Sequence, residues 1–227
     1  MATGRIIGAE ALLRWAHPQL GMVPPLKFIS IAEESGLIVP IGDWIIREAC
    51  RQGAAWSQAG FGDVKISVNV SSHQLTGERI VGVVRCALSE TRFSPSCLVL
   101  ELTESMLMKD AESSIELLTA LKSLGIALSI DDFGTGYSSL SYLKRFPLDE
   151  LKIDRSFVSD IPGDATDLAI VKATIALAAA MDLRVVAEGV ETAVQLQALR
   201  ELGCQTYQGY LFSPPVPAAS FQTLLCA

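Results

Sequence analysis

The chain has 227 residues, half of them apolar (50% by count), and a formal net charge of -7. That length suffices for one large hydrophobic core and lies in the range that single α/β barrels occupy. The negative charge and the absence of any lysine- or arginine-rich block exclude nonspecific binding to DNA or RNA polymers and to anionic membranes.

A strand-like run over residues 6–12 opens the chain, followed by two stretches of helical period, 25–35 and 40–59. Strand 64–70 then leads into a helix over 73–89, strand 98–102 into a helix over 111–123, and strand 126–130 into a helix over 137–145. Strand 150–153 precedes helix 165–181, strand 184–187 precedes helix 192–202, and a last strand covers 205–210. Val-, Ile- and Leu-rich runs alternating with helices predict a mostly parallel sheet with crossover helices. No linker, low-complexity tract or repeat divides residues 1–227, so one domain is expected.

Cys50, Cys86, Cys97, Cys204 and Cys226 are scattered, odd in number and free of CxxC spacing, which fits reduced thiols and a cytoplasmic location. Arg5 and Glu10 interrupt the apolar N-terminus, which does not read as a signal peptide. The most apolar run, 169–181, contains Lys172 and falls short of the ~20 residues that span a bilayer, so it reads as a buried helix.

What ends each apolar run carries the chemistry. Glu10, Asn69, Glu101, Asp131 with Asp132, Lys152, Glu188 and Gln208 stand at or beside the C-terminal ends of seven strands. A parallel barrel gathers those ends at one mouth, where catalytic residues of that fold sit. Clustered carboxylates repel and resist desolvation unless cations accompany them, and an all-oxygen donor set selects Mg²⁺ or Mn²⁺ over zinc. The adjacent aspartates suggest two ions. A single strand-end acid is as readily a helix N-cap or a solvated loop residue, but seven coincident positions are not. Lys152, between Leu151 and Ile153, must face water or compensating acids, and the inward reading is favoured.

Other features suggest less. Asp131-Asp132-Phe133-Gly134-Thr135-Gly136 lacks the third glycine of a dinucleotide fingerprint and reads as a mobile loop. His17 and His73 lack partners at the spacings that nucleophilic or zinc chemistry needs. Trp15, Trp44 and Trp56 read as core packing, and Glu33, Glu34 and Glu48 as solvated helix faces.

The string Glu10-Ala11-Leu12-Leu13-Arg14-Trp15 resembles the signature of the EAL domain of bacterial cyclic di-GMP phosphodiesterases. The resemblance continues in order through 28–33 (FISIAE), 68–71 (VNVS), 101–105 (ELTES), 131–136 (DDFGTG), 151–154 (LKID), 187–191 (AEGVE) and 208–210 (QGY). Such an ordered series is far more specific than a lone tripeptide.

The resemblance implies a TIM-like (β/α) barrel with an antiparallel first strand, here N-terminally short so that this stave is lacking. It further implies hydrolysis of cyclic di-GMP to linear pGpG with two Mg²⁺ or Mn²⁺. Glu10, Asn69, Glu101 and Asp131 would ligate one ion, and Asp131, Asp132 and Glu188 the other. Lys152 would orient water, Glu188 accept its proton, Glu104 anchor the 131–136 loop, and Leu13, Arg14 and Gln208 line the substrate site, with Asp154 and Glu191 in support. Sensor or GGDEF companion domains and a homodimer are the implied partners. Two alternatives stay open: a module that binds cyclic di-GMP without cutting it, and an interaction fragment docking through an exposed strand edge.

Overall fold

The computed structural model describes residues 1, 4–75, 77–135 and 140–226. Seven strands form one wholly parallel sheet: β1 (Gly8–Ala11), β4 (Lys65–Asn69), β5 (Leu98–Thr103), β6 (Ala127–Phe133), β7 (Glu150–Ile153), β8 (Arg184–Ala187) and β9 (Thr206–Tyr207). They pair in chain order, from β1 at one edge to β9 at the other. Two further strands, β2 (Trp15–His17) and β3 (Gly21–Val23), form an antiparallel hairpin apart from this sheet.

The sheet curls until its edges face each other. Gln208, just past β9, donates from Nε2 to Glu10 Oε2 of β1 at 2.5 Å, yet among the described residues no backbone ladder joins these two strands. The arrangement is that of a TIM-like barrel open at one seam, and the antiparallel strand that the resemblance puts first is not among those described. The Met1 amine donates to the Gln205 carbonyl, just before β9, at 2.5 Å, and its side chain packs against the core.

Ten helices lie among the described residues: α1 (Pro25–Glu34), α2 (Ile38–Gln58), α3 (Arg79–Thr91), α4 (Glu104–Met108), α5 (Ala111–Lys122), α6 (Leu140–Leu143), α7 (Arg155–Val158), α8 (Ala165–Ala180), α9 (Ala193–Glu201) and α10 (Ala218–Leu225). The longer ones clothe the sheet, with α2 against α3 and β4, α5 against β6, and α8 against β7 and β8. Their starts are written locally: Asp110 caps α5 through Ser113 N–H, and Asp164 caps α8 through the N–H groups of Thr166 and Asp167. The core fills the space between layers with residues such as Ile46, Val84, Leu98, Leu100, Leu128 and Leu151, all fully buried.

Several expectations need correction. The helix expected over 73–89 is instead a 3₁₀ turn (Ser72–Gln74), opened by a capping box between Ser71 and Gln74, and followed separately by α3. The hairpin was missed because its strands are short and mostly exposed. Its turn is held by His17 Nδ1, which accepts from Gln19 N–H at 3.1 Å and Leu20 N–H at 3.2 Å. The run 169–181 is not a buried helix. Of α8 only Val171, Thr174 and Ala178 are buried, and small alanines populate much of its outward side.

Of the tryptophans only Trp56 is core, whereas Trp15 is 41% and Trp44 57% exposed. Glu33 is partly buried and accepts a hydrogen bond from Ser71 Oγ at 2.8 Å. Asp131, Asp132 and Phe133 belong to β6 rather than a loop, while Gly136 and the helix start at Tyr137 lie outside the described residues. All five cysteines are free, and among the described residues no helix is long and apolar enough to cross a membrane.

The core sets the stability of this scaffold. Leu100→Ala in β5 should lower unfolding free energy by ~3 kcal/mol, read as a fall in the urea midpoint at unchanged m-value.

Candidate active site

Strand alternation aims every second side chain at the barrel interior, so one polar residue near each C-terminal end suffices to build a polar mouth over an apolar floor. Lys152 on β7 is its centre and is 2% exposed. Its Nζ lies 2.5 Å from Glu188 Oε1, 2.9 Å from Glu101 Oε2, 3.4 Å from Asp131 Oδ2 and 3.8 Å from Glu10 Oε2. Glu10 extends the network, for Asn69 Nδ2 donates to its Oε1 at 2.6 Å and Gln208 Nε2 to its Oε2. Seven strands thus place Glu10, Asn69, Glu101, Asp131, Lys152, Glu188 and Gln208 in one connected cluster.

Asp132 joins by a different route. Between the pairs Ile130–Leu151 and Phe133–Ile153, β6 has two residues where β7 has one, a β-bulge, and Asp132 takes the left-handed φ of 54°. The bulge sets both aspartates opposite Lys152, with Asp131 buried and Asp132 exposed. Glu104, at the start of α4 and buried, accepts from Gly134 N–H at 3.2 Å and so ties down the chain following β6.

The remaining candidates stand outside the Lys152 cluster. Arg14 is exposed and donates to the Leu13 carbonyl at 2.8 Å, in the stretch between β1 and the hairpin. Asp154 caps α7, accepting from Ser156 N–H at 3.0 Å, and Glu191 pairs with Arg155 at 2.9 Å.

Sequence reasoning passed over two buried glutamines behind the mouth, Gln74 and Gln195. Each is the last residue of a Ser/Thr-x-x-Gln capping box, Ser71 to Gln74 after β4 and Thr192 to Gln195 after β8. That spacing was a usable signal. Gln74 packs so closely on α2 that a Cβ at Gly42 would lie 2.0 Å from its Nε2.

The electrostatics follow from four carboxylates sharing one ammonium. Burial alone would lower the Lys152 pKa, but Glu101, Glu188, Glu10 and Asp131 more than offset it and hold the group well above its usual value. Burial pushes Glu101 up to about 8 and Glu188 up to about 7, with Lys152 opposing in part and neighbouring carboxylates adding to the rise. Asp132, although open to solvent on one side, is also raised, by the partial desolvation of its carboxyl and then by the charges of Asp131 and Asp154. Glu101 Oε2 is buried with no aligned hydrogen bond, although it lies within ion-pair distance of Lys152. Among the described residues no three acidic, His or Cys side chains stand in metal-holding geometry.

These shifts make a signed prediction. A carboxyl whose folded pKa exceeds its unfolded value of 4.5 binds its proton more tightly when folded, so stability is present at acid pH and is lost as pH rises through the folded pKa. In a chelator the urea midpoint of the chain should fall between pH 5 and about 8, with a flatter profile in Glu188→Gln. A flat parental profile would contradict the raised pKa values.

The EAL domain family model matches residues 1–215. The chain is 50% identical over 215 residues to the bifunctional diguanylate cyclase/cyclic di-GMP phosphodiesterase MucR of Pseudomonas aeruginosa, covering 95% of this chain and 31% of that protein. It is 47% identical over 227 residues to the cyclic di-GMP phosphodiesterase NbdA of the same organism, covering 100% of this chain and 29% of the relative. It therefore spans about a third of the length of these relatives. A solved structure of the PaMucR phosphodiesterase in complex with c-di-GMP superimposes with a TM-score of 0.92 at 50% identity, covering 95% of this chain and 87% of that one. A parallel sheet of this order, a mouth built around one buried lysine and a match across nearly the whole sequence establish that the chain belongs to the EAL domain family.

Proposed function

We propose that this chain hydrolyses one phosphodiester bond of cyclic di-GMP and releases linear pGpG. The observation that carries the reading is the convergence of Glu10, Asn69, Glu101, Asp131, Glu188 and Gln208 around Lys152 at one barrel mouth. The names of the relatives, cyclic di-GMP phosphodiesterases, supply the substrate.

The donor set suits divalent cations by its chemistry. It is all oxygen, its acids outnumber the single ammonium, and Glu101 Oε2 is buried without an aligned partner. Glu10, Asn69, Glu101, Asp131, Asp132 and Glu188 would hold two Mg²⁺ or Mn²⁺. Bound there, the cations would neutralise the acid excess and supply the Lewis acidity that activates water and phosphate oxygens.

The chain's own groups have distinct tasks. Glu188, with its pKa raised to about 7, accepts the proton of the attacking water as the new P–O bond forms. Lys152, 2.5 Å from that carboxylate, orients the water and faces the charge that develops on the phosphoryl oxygens as the bond to the sugar 3′-oxygen breaks, that oxygen leaving as the 3′-hydroxyl with a proton taken from solvent. Arg14 contacts a substrate phosphate while Leu13 and Gln208 line the dinucleotide site. Glu104 steadies the chain that follows β6 through Gly134 N–H, and Asp154 and Glu191 support the neighbouring loops. An acidic chain can bind this anion because the cations, Lys152 and Arg14 reverse the local field. In a longer protein, sensor or GGDEF domains or a second copy would regulate this unit, and the expected setting is the cytoplasm.

Chromatography after incubation with cyclic di-GMP and Mn²⁺ or Mg²⁺ should show pGpG. Glu10→Ala and Glu188→Ala should each lower turnover by ~100-fold or more with an unchanged circular dichroism spectrum. Mn²⁺ should raise the melting temperature of the parent more than that of Glu10→Ala. Unchanged turnover in both variants would remove the site assignment, and tight binding without product would favour a non-catalytic receptor.

A further inference from the structure

Gln195 takes no part in the chemistry proposed above, yet the residue is only 6% exposed and its carboxamide has partners on both sides. Its Oε1 accepts from Glu191 N–H at 2.8 Å and Thr192 N–H at 2.9 Å, and its Nε2 donates to the Ser159 carbonyl at 2.8 Å. Its own N–H donates to Thr192 Oγ1 at 3.2 Å, completing the capping box at the start of α9. Residues 189–192 are the loop that leaves Glu188, and Ser159 is the C-cap of α7, the helix that follows Lys152 and its strand. One buried side chain therefore bolts the chain after Glu188 to the chain after Lys152.

A second connection between the same segments is weaker. Arg155 of α7 pairs with Glu191, but the partners are 63% and 40% exposed and contribute little in water. The stem of Arg155 does lie over Gly189, whose φ of +65° favours glycine, and a Cβ there would come within 2.2 Å of Arg155 Cγ. That contact shapes the loop without tying it down. The buried carboxamide is the stronger constraint, since removing it leaves two N–H groups and a carbonyl without their partner.

We infer that Gln195 is a positioning residue for hydrolysis, holding Glu188 at its 2.5 Å contact with Lys152 by locking residues 189–192 to Ser159. The inference rests on the hydrolase reading above. Displacing a reacting group by a fraction of an ångström to 1 Å costs up to ~100-fold in rate without touching substrate binding.

The test compares the parent, Gln195→Met and Gln195→Glu in the whole chain, by steady-state kinetics with cyclic di-GMP and Mn²⁺ and by amide hydrogen exchange. Gln195→Met, similar in volume but without hydrogen-bonding groups, should lower kcat ~10- to 100-fold at unchanged KM and speed exchange at Glu191 and Thr192 while the core strands keep their protection. Gln195→Glu keeps the acceptor for the loop amides and loses the donor to Ser159, so its kcat should fall between the other two. Parental kcat in Gln195→Met, or a loss carried wholly by KM, would overturn the inference. Should Gln195→Met fail to fold, Gln195→Glu decides, and parental kcat and exchange there overturn it. If the parent itself turns over no cyclic di-GMP, the hydrolase reading fails separately. Exchange then decides the locking role, with unchanged protection at Glu191 and Thr192 counting against it.

Discussion

A buried ammonium among too many carboxylates is the constraint on which the mouth of this barrel depends. Taking Lys152 out of water costs several kcal/mol, and the attraction of Glu188, Glu101, Asp131 and Glu10 must offset that cost. The acids are in excess, so the cluster carries a charge it cannot settle internally. It can take up protons, which is the meaning of the raised pKa values of Glu101 and Glu188, or it can take up cations. A site that is uncomfortable without a partner is suited to binding one.

The opposite end of the barrel shows what a settled arrangement looks like. Asp149, just before β7, accepts from Lys122 Nζ at both carboxylate oxygens, each at 2.8 Å, and from Leu128 N–H at 2.8 Å. One acid meets one base there and a backbone amide completes the set, which is structural pairing. At the C-terminal mouth four carboxylates share the one ammonium of Lys152, and the backbone there departs from regularity too. The β6 bulge brings two aspartates opposite one lysine, a geometry that an uninterrupted ladder with alternating side chains would not allow.

Holding repelling groups together is the work of the scaffold. Fully buried Leu98, Leu100, Leu128 and Leu151 fix the strands beneath, and Glu10 with Gln208 closes the mouth across the seam between β1 and β9. Capping glutamines fasten the loops, Gln74 behind Asn69 and Gln195 behind Glu188. The Gln195 carboxamide both accepts and donates, so a single uncharged residue joins two backbone segments without adding to an already strained charge balance.

Much of this was legible in the residues themselves. Runs such as 98–102 and 150–153 announce buried parallel strands, the helical period of 40–59 announces α2, and the placing of Glu10, Asn69, Glu101, Asp131, Lys152, Glu188 and Gln208 announces a polar mouth. What could not be read were features set by partners distant in the chain. The exposure of Trp44 and the shallow burial of α8 depend on which face each helix turns to the sheet, and the hairpin is too short for its pattern to declare itself. Periodicity and strand-end chemistry are local, so sequence alone determined the α/β class and the roster of mouth residues. Which acids share Lys152, where β6 bulges and which glutamine bolts which loop are set by contacts between segments up to 198 residues apart, and only the tertiary structure decided them.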